Sequence, residues 1–160
     1  VCLLSAGRLR THGSTREIIE DLDFEPVMGR DEAGVLIEGQ VLRHDPRLHL
    51  TLVEMGGGEE LAMPLIEGTP VGEVVRVRIR SRDVAVATTR PEGLSIRNVL
   101  PGRILELSEE PEAGSVEARI QLRTHRLRAR LTLAAVEELG LEVDSAVFAL
   151  VKSVSLERGR

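Results

Sequence analysis

Two short stretches of the sequence carry side chains that could hold an anion. "SIRN" offers a hydroxyl at Ser95, a guanidinium at Arg97 and an amide at Asn98, and in an extended strand Ser95 and Arg97 point to the same side. "VKS" places Lys152, the only lysine beside twenty arginines, next to Ser153 in an otherwise apolar stretch. Hydroxyl, amide and cationic donors of this kind predict an oxyanion site.

A third feature is the start of the predicted helix "LAAVEEL". Thr132 stands at its N-cap position, and the N3 residue is Ala135. In an earlier predicted helix the N3 residue is Glu17, which has capping-box spacing from Ser14. Because the later helix lacks such a carboxylate, its first amides are expected to present partial positive charge to an anion.

Each feature also has a simpler interpretation. "SIRN" could make hydrogen bonds at a strand edge, Lys152 could extend from a strand into solvent, and Thr132 could be an N-cap alone. It is the combination of the three that favours an oxyanion site.

The sequence predicts no catalytic site. Its glycine clusters fit neither G-x-x-x-x-G-K-[ST] nor a strand-linked G-x-G-x-x-G, so no nucleotide-phosphate loop is expected. The histidines lack the spacing of a zinc helix and are predicted to be surface or internally bonded positions: His12, His44, His49 and His125. Cys2 is alone, which excludes an internal disulfide and a cysteine metal cluster. We expect no cofactor, no metal and no enzyme activity in this chain by itself.

Composition disfavours a nucleic-acid partner and a membrane-spanning segment. Aromatic residues are 1% of the chain and the formal net charge is −5, whereas single strands are gripped by aromatic stacking in a basic groove. No apolar run approaches the roughly 18 residues that a membrane span needs. A cytosolic location is expected.

The chain divides into four predicted units. Residues 1–22 read as strand, turn, strand and helix, too little to fold alone, and the chain begins without a methionine, so we expect the end of a larger domain. Residues 23–34, acidic and rich in glycine, read as a linker. Residues 35–93 form a first small β lobe and residues 94–157 a second domain.

Short strands separated by turn residues predict a mainly β fold. In "RLHLTLVEM" the leucines alternate with His49, Thr51 and Val53, and "VVRVRIR" sets Val75, Val77 and Ile79 on one face. The last third adds a strand over 95–107 interrupted at Pro101-Gly102, a hairpin, a two-turn helix ended by Gly140, and one closing strand, "AVFALVKSVSLE". We predict small OB-like five-stranded barrels with short helices.

Three blocks, "LSIRNVLPGRI", "ARLTLAAVEELGL" and "VFALVKSVS", resemble the molbindin-type (Mop/TOBE) domain at the C-terminus of the ATPase subunit of molybdate importers. "VCLLSAGRLRTHGSTREIIE" resembles the closing strands and helix of an ABC-type ATPase domain. The resemblance implies an OB-like fold that binds molybdate or tungstate through Ser95, Arg97, Thr132, Lys152 and Ser153, often at a subunit interface, with Asn98 as a possible support.

The resemblance also implies partners and a role. The expected partners are a second copy and, through the ATPase domain, the membrane permease at the inner face of the cell membrane. The expected role is regulatory, with bound oxyanion inhibiting the transporter. ATP is expected only in the ATPase domain, whose motifs are absent here. The alternative is a related ABC ATPase whose C-terminal barrels make protein contacts and bind no anion.

Overall fold

The computed structural model describes residues 2–5, 8–12, 34–110 and 114–157. Strands β1 (Cys2–Ser5) and β2 (Arg8–His12) pair antiparallel, which confirms the hairpin predicted near the start of the chain. The predicted helix with Ser14 and Glu17 lies outside the described residues, as do residues 23–33 of the predicted linker.

The first large sheet has five antiparallel strands in the order β12–β6–β3–β4–β5. They are β3 (Gly34–Asp45), β4 (Leu50–Glu54), β5 (Glu60–Pro64), β6 (Val74–Arg80) and β12 (Ser155–Leu156). In β6 the valine and isoleucine side chains at 75, 77 and 79 are buried, as their alternation with arginine predicts.

The second large sheet is also antiparallel, in the order β10–β9–β8–β11–β7. Its strands are β7 (Val84–Ala87), β8 (Asn98–Glu110), β9 (Ser115–Gln121), β10 (Arg126–Thr132) and β11 (Ala146–Val151). Helix α1 (Leu133–Leu139) follows β10 and ends at Gly140, whose φ of 59° suits glycine. A 3₁₀ turn spans Ser81–Asp83. The predicted mainly β, OB-like fold with short helices is confirmed.

The two sheets exchange strands. β7 precedes residue 94 in sequence but pairs with β11 in the second sheet, while β12 comes from the end of the chain and pairs with β6 in the first. The sequence units 35–93 and 94–157 therefore each give one strand to the other's sheet. Aliphatic residues from both sheets share one buried core.

The closing segment is two strands rather than the one predicted. β11 ends at Val151, residues 152–154 have no regular structure, and β12 then joins the first sheet. Lys152 and Ser153 thus lie where the chain crosses between sheets. A continuous alternation cannot reveal such a crossing, because both halves read as strand.

β8 also differs from its prediction. It begins at Asn98, so the residues from Ser95 to Arg97 precede the strand, and it continues through Pro101-Gly102 without a break. Its register shift lies between Ile104 and Glu106. Pairing with β9 begins only at Arg103, so the proline, which has no N–H, has a neighbouring strand on one side alone.

The buried face of β4 carries Thr51 and Val53, whereas Leu48 is 44% exposed. Thr51 is accommodated because its hydroxyl oxygen accepts from the Ile66 amide at 3.0 Å and lies 2.9 Å from the His44 ring. A leucine pattern alone therefore does not identify the buried face of a strand.

A buried ion pair links β9 and β10. Arg128 Nε lies 3.0 Å from Glu117 Oε1, and both side chains are 2% exposed. An exposed pair has the same geometry: Arg76 Nε lies 3.0 Å from Glu38 Oε1, with side chains 63% and 58% exposed. The two pairs differ in burial, and burial determines how much the free energy of unfolding falls when one partner is removed.

We expect Glu117→Gln to lower the free energy of unfolding by about 3–5 kcal/mol, because the buried Arg128 charge loses this carboxylate. Glu38→Gln is the control and should cost about 0–1 kcal/mol. Urea unfolding of both variants measures the difference. Equal losses would contradict the assignment of the 117–128 pair as a buried structural contact.

Candidate functional site

Five of the six predicted site residues line one open cleft of about 320 Å³: Ser95, Arg97, Asn98, Lys152 and Ser153. All except Asn98 are exposed. The structure therefore brings together two stretches that are more than fifty residues apart in sequence. These five residues were predicted from their side-chain types, and the pairing of two strands explains why they lie close together.

Antiparallel pairing of β8 with β11 creates this meeting. Asn98, the first residue of β8, is the register partner of Val151, the last residue of β11. The chain just before β8 and the chain just after β11 must therefore lie side by side. The Lys152 amide donates to the Asp83 carbonyl at 2.9 Å, which fixes the backbone of the crossing segment.

Asn98 acts as a bridge between the two sheets. Its Oδ1 accepts from the Ala62 amide at 2.7 Å, and its Nδ2 donates to the Ala62 carbonyl at 2.8 Å and to the Val151 carbonyl at 3.5 Å. The side chain is 6% exposed, and its amide pairs with β5 much as a strand backbone would. Asn98 is therefore a support beneath the cleft, and its polar atoms are occupied within the protein.

The charges in the cleft have one sign. Arg97 and Lys152 both line it, and among the residues that the structure describes no Asp or Glu does so. The chain holds 26 acidic and 21 basic side chains, so a cleft without carboxylates departs from the overall balance. Two cations and two hydroxyls in this cleft can donate to an anion.

Thr132 lies elsewhere. It lines a second cavity of about 330 Å³ together with Arg82, Asp83, Arg130 and several apolar residues, and Lys152 lines both cavities. Its predicted N-cap role is confirmed, since its hydroxyl accepts from the Ala135 amide at 3.1 Å. That N3 amide is therefore satisfied within the chain.

The first sheet also contributes to the cleft, which the sequence did not predict. His49, at the turn between β3 and β4, lines it together with Met63 and Pro64 of β5. The turn itself is signalled by Asp45-Pro46, but nothing local indicates that it approaches Ser95 and Lys152.

Residues 2–5, 8–12, 34–110 and 114–157 contain no group of three or more His, Cys, Asp or Glu side chains placed to hold a metal ion. They also contain no helix with the length and apolar character needed to cross a membrane.

Residues 94–157 match the TOBE domain family. The chain is similar to molybdenum import ATP-binding proteins ModC: it is 37% identical to that of Mesorhizobium japonicum, 39% to that of Brucella abortus and 35% to that of Azotobacter vinelandii. These alignments cover 99%, 99% and 98% of this chain, and 42% of each relative. The chain thus spans less than half the length of these curated relatives.

The fold is similar to a solved structure of the cytoplasmic molybdate-binding protein ModG, in a form with molybdate bound. The TM-score is 0.66 at 22% identity, and the match covers 78% of this chain and 95% of that one. At this identity the likeness concerns the fold.

We expect Asn98→Ala to lower the free energy of unfolding by about 2–3 kcal/mol, since both backbone groups of Ala62 lose a partner. The control is Gln121→Ala. The Gln121 amide donates to the Leu122 and His125 carbonyls and accepts from Arg126 Nε inside one partly exposed hairpin end, so its loss should cost about 1 kcal/mol. Urea unfolding compares the two. A loss in Asn98→Ala no larger than in the control would contradict the bridging role.

Proposed function

We propose that the cleft binds molybdate or tungstate, because residues 94–157 match the TOBE domain family and nearly the whole chain is similar to molybdenum import ATP-binding proteins. The observation that carries the proposal is the meeting of Arg97, Lys152, Ser95 and Ser153 in a cleft without a lining carboxylate. Asn98 holds the cleft walls in place from below.

A tetrahedral dianion suits these donors. Molybdate and sulfate carry the same charge and differ mainly in size, so selection between them depends on several donors held at a fixed radius. Each charge-assisted hydrogen bond contributes on the order of 1.5–3 kcal/mol. Four such bonds can offset dehydration of the anion and still give micromolar binding.

We propose that the binding unit is a homodimer. Thr132 lies outside the cleft in one copy, although Lys152 lines both cavities. Thr132 from a second copy would complete the five-residue donor set at an interface. The cleft is open and its cationic side chains are exposed, so a second copy would also shield the bound anion from water.

The proposed role is regulatory. We assign the chain to the C-terminal part of an importer's ATPase subunit, with residues 94–157 as its oxyanion-binding unit. ATP hydrolysis belongs to the part of the relatives that this chain does not span. Bound oxyanion would hold the ATPase dimer in an inactive state, so that import falls when molybdate is sufficient. The subunit would act at the inner face of the cell membrane, on a permease partner.

The first test is calorimetric titration of the chain with sodium molybdate and sodium tungstate, with sodium sulfate at equal ionic strength as control. We expect saturable heat with the first two and little with sulfate. At a hundredfold excess over Kd, binding should stabilise the fold by about 2.7 kcal/mol, which raises the melting temperature by several degrees. If molybdate and tungstate give neither heat nor a melting shift, a domain that makes only protein contacts becomes the better interpretation.

The second test removes the lysine. We expect Lys152→Ala to weaken molybdate binding at least roughly tenfold, about 1.4 kcal/mol, with an unchanged melting temperature in the absence of ligand. Arg43→Ala is the matched control, because Arg43 is exposed and lines neither cavity. Equal affinities of Lys152→Ala and wild type would show that the lysine is a solvent-exposed residue with no part in binding.

A further inference from the structure

We propose that His49 is a further oxyanion donor of the cleft, supplied by the first sheet. This inference rests on the proposed function of the same cleft and adds a residue that no motif in the sequence indicates. It is based on three features of His49: its position, its backbone conformation and the state of its ring.

The turn between β3 and β4 holds His49 at the cleft. Asp45 and Leu50 are the last register pair of the hairpin, and the Leu48 amide donates to Asp45 Oδ1 at 3.0 Å. The His49 carbonyl accepts from the Leu65 amide at 3.0 Å. The turn is thus fixed from both sides, and His49 lines the same cleft as Arg97.

The backbone of His49 lies in the left-handed region, with a φ of 52°. Glycine adopts this conformation without steric cost, whereas a residue with a Cβ is strained there. Turn geometry alone therefore favours glycine at position 49. His49 instead places an imidazole at the cleft.

The ring of His49 differs from the rings of the two other described histidines. His44 is held between the Thr51 hydroxyl at 2.9 Å and the Thr69 carbonyl at 2.8 Å, and His125 Nε2 donates to the Met55 carbonyl at 2.6 Å. Within the described part of the chain, the His49 ring has no hydrogen-bond partner. His44 and His125 serve the fold, and the ring of His49 is available to a ligand.

The chemistry fits an oxyanion. A neutral imidazole carries one N–H donor and an imidazolium carries two, while the oxygens of a tetrahedral dianion accept. No carboxylate among the described lining residues competes for that donor. A bound anion would then contact Arg97 before β8, Lys152 after β11, and His49 of the first sheet, so binding would tie the two sheets together.

Three variants of the full chain test this inference by titration with sodium molybdate and by thermal melting. His49→Gly relieves the left-handed backbone and removes the donor, so we expect affinity to fall at least roughly tenfold, about 1.4 kcal/mol, with a melting temperature no lower than wild type. His49→Asn tolerates the same backbone and restores an N–H donor, so it should recover part of the affinity.

Asp144→Gly is the matched control. Asp144 is the other non-glycine residue with positive φ among the described residues, at 71°, and it lines neither cavity. It should show the same trend in melting temperature as His49→Gly and keep wild-type affinity. If His49→Gly binds molybdate like wild type, or if Asp144→Gly loses as much affinity, the role of His49 is overturned.

The outcomes also separate this inference from the proposed function. If wild type binds molybdate and Lys152→Ala binds it weakly, while His49→Gly is unaffected, the cleft is an oxyanion site without His49. If wild type binds neither molybdate nor tungstate, both proposals are overturned together.

Discussion

The side-chain amide of Asn98 is the contact on which the cleft depends. A buried amide without partners is costly, and Asn98 avoids that cost by pairing with both backbone groups of Ala62 in one sheet while it begins β8 of the other. The bond is directional, so it fixes spacing and register where hydrophobic contact alone would allow sliding. The stretch that carries Arg97 ends at Asn98. The stretch that carries Lys152 begins directly after Val151, the register partner of Asn98.

The exchange of β7 and β12 reinforces the same junction. Each sheet includes a strand from the other sequence unit, so neither sheet can move away without breaking backbone pairing at its edge. The turn after β9 also contacts the turn after β4. Thr124 Oγ1 donates to the Met55 carbonyl at 3.2 Å, and a Cβ on Gly56 would come within 3.3 Å of that hydroxyl oxygen. The cleft is open to solvent, yet its walls are parts of one interlocked core. That combination holds the backbone from which the exposed donors extend.

Local pattern was enough to predict most strands, and residue type was enough to predict one wall of the cleft. "VVRVRIR" alternates and is β6, and "SIRN" with "VKS" supplies five of the residues around one cavity. The errors concern non-local pairing. Lys152 was placed inside a strand because nothing in "LVKSVS" shows that the chain changes sheets there. His49 was predicted to be a surface or internally bonded position and it is exposed. Its approach to Ser95 depends on how two sheets pack, which no spacing in the sequence encodes.

Exposure of the donors has a consequence for how such a cleft could work. Interactions between a dianion and solvated Arg97 or Lys152 are screened, so they are weak until water is excluded. If a second copy excludes it, affinity for the anion rises with assembly. Linkage is reciprocal, so the anion must then favour assembly by the same factor. On the proposed function, the domain would then report the concentration of an oxyanion as a change in the association of two subunits, with no need for a large movement inside either one.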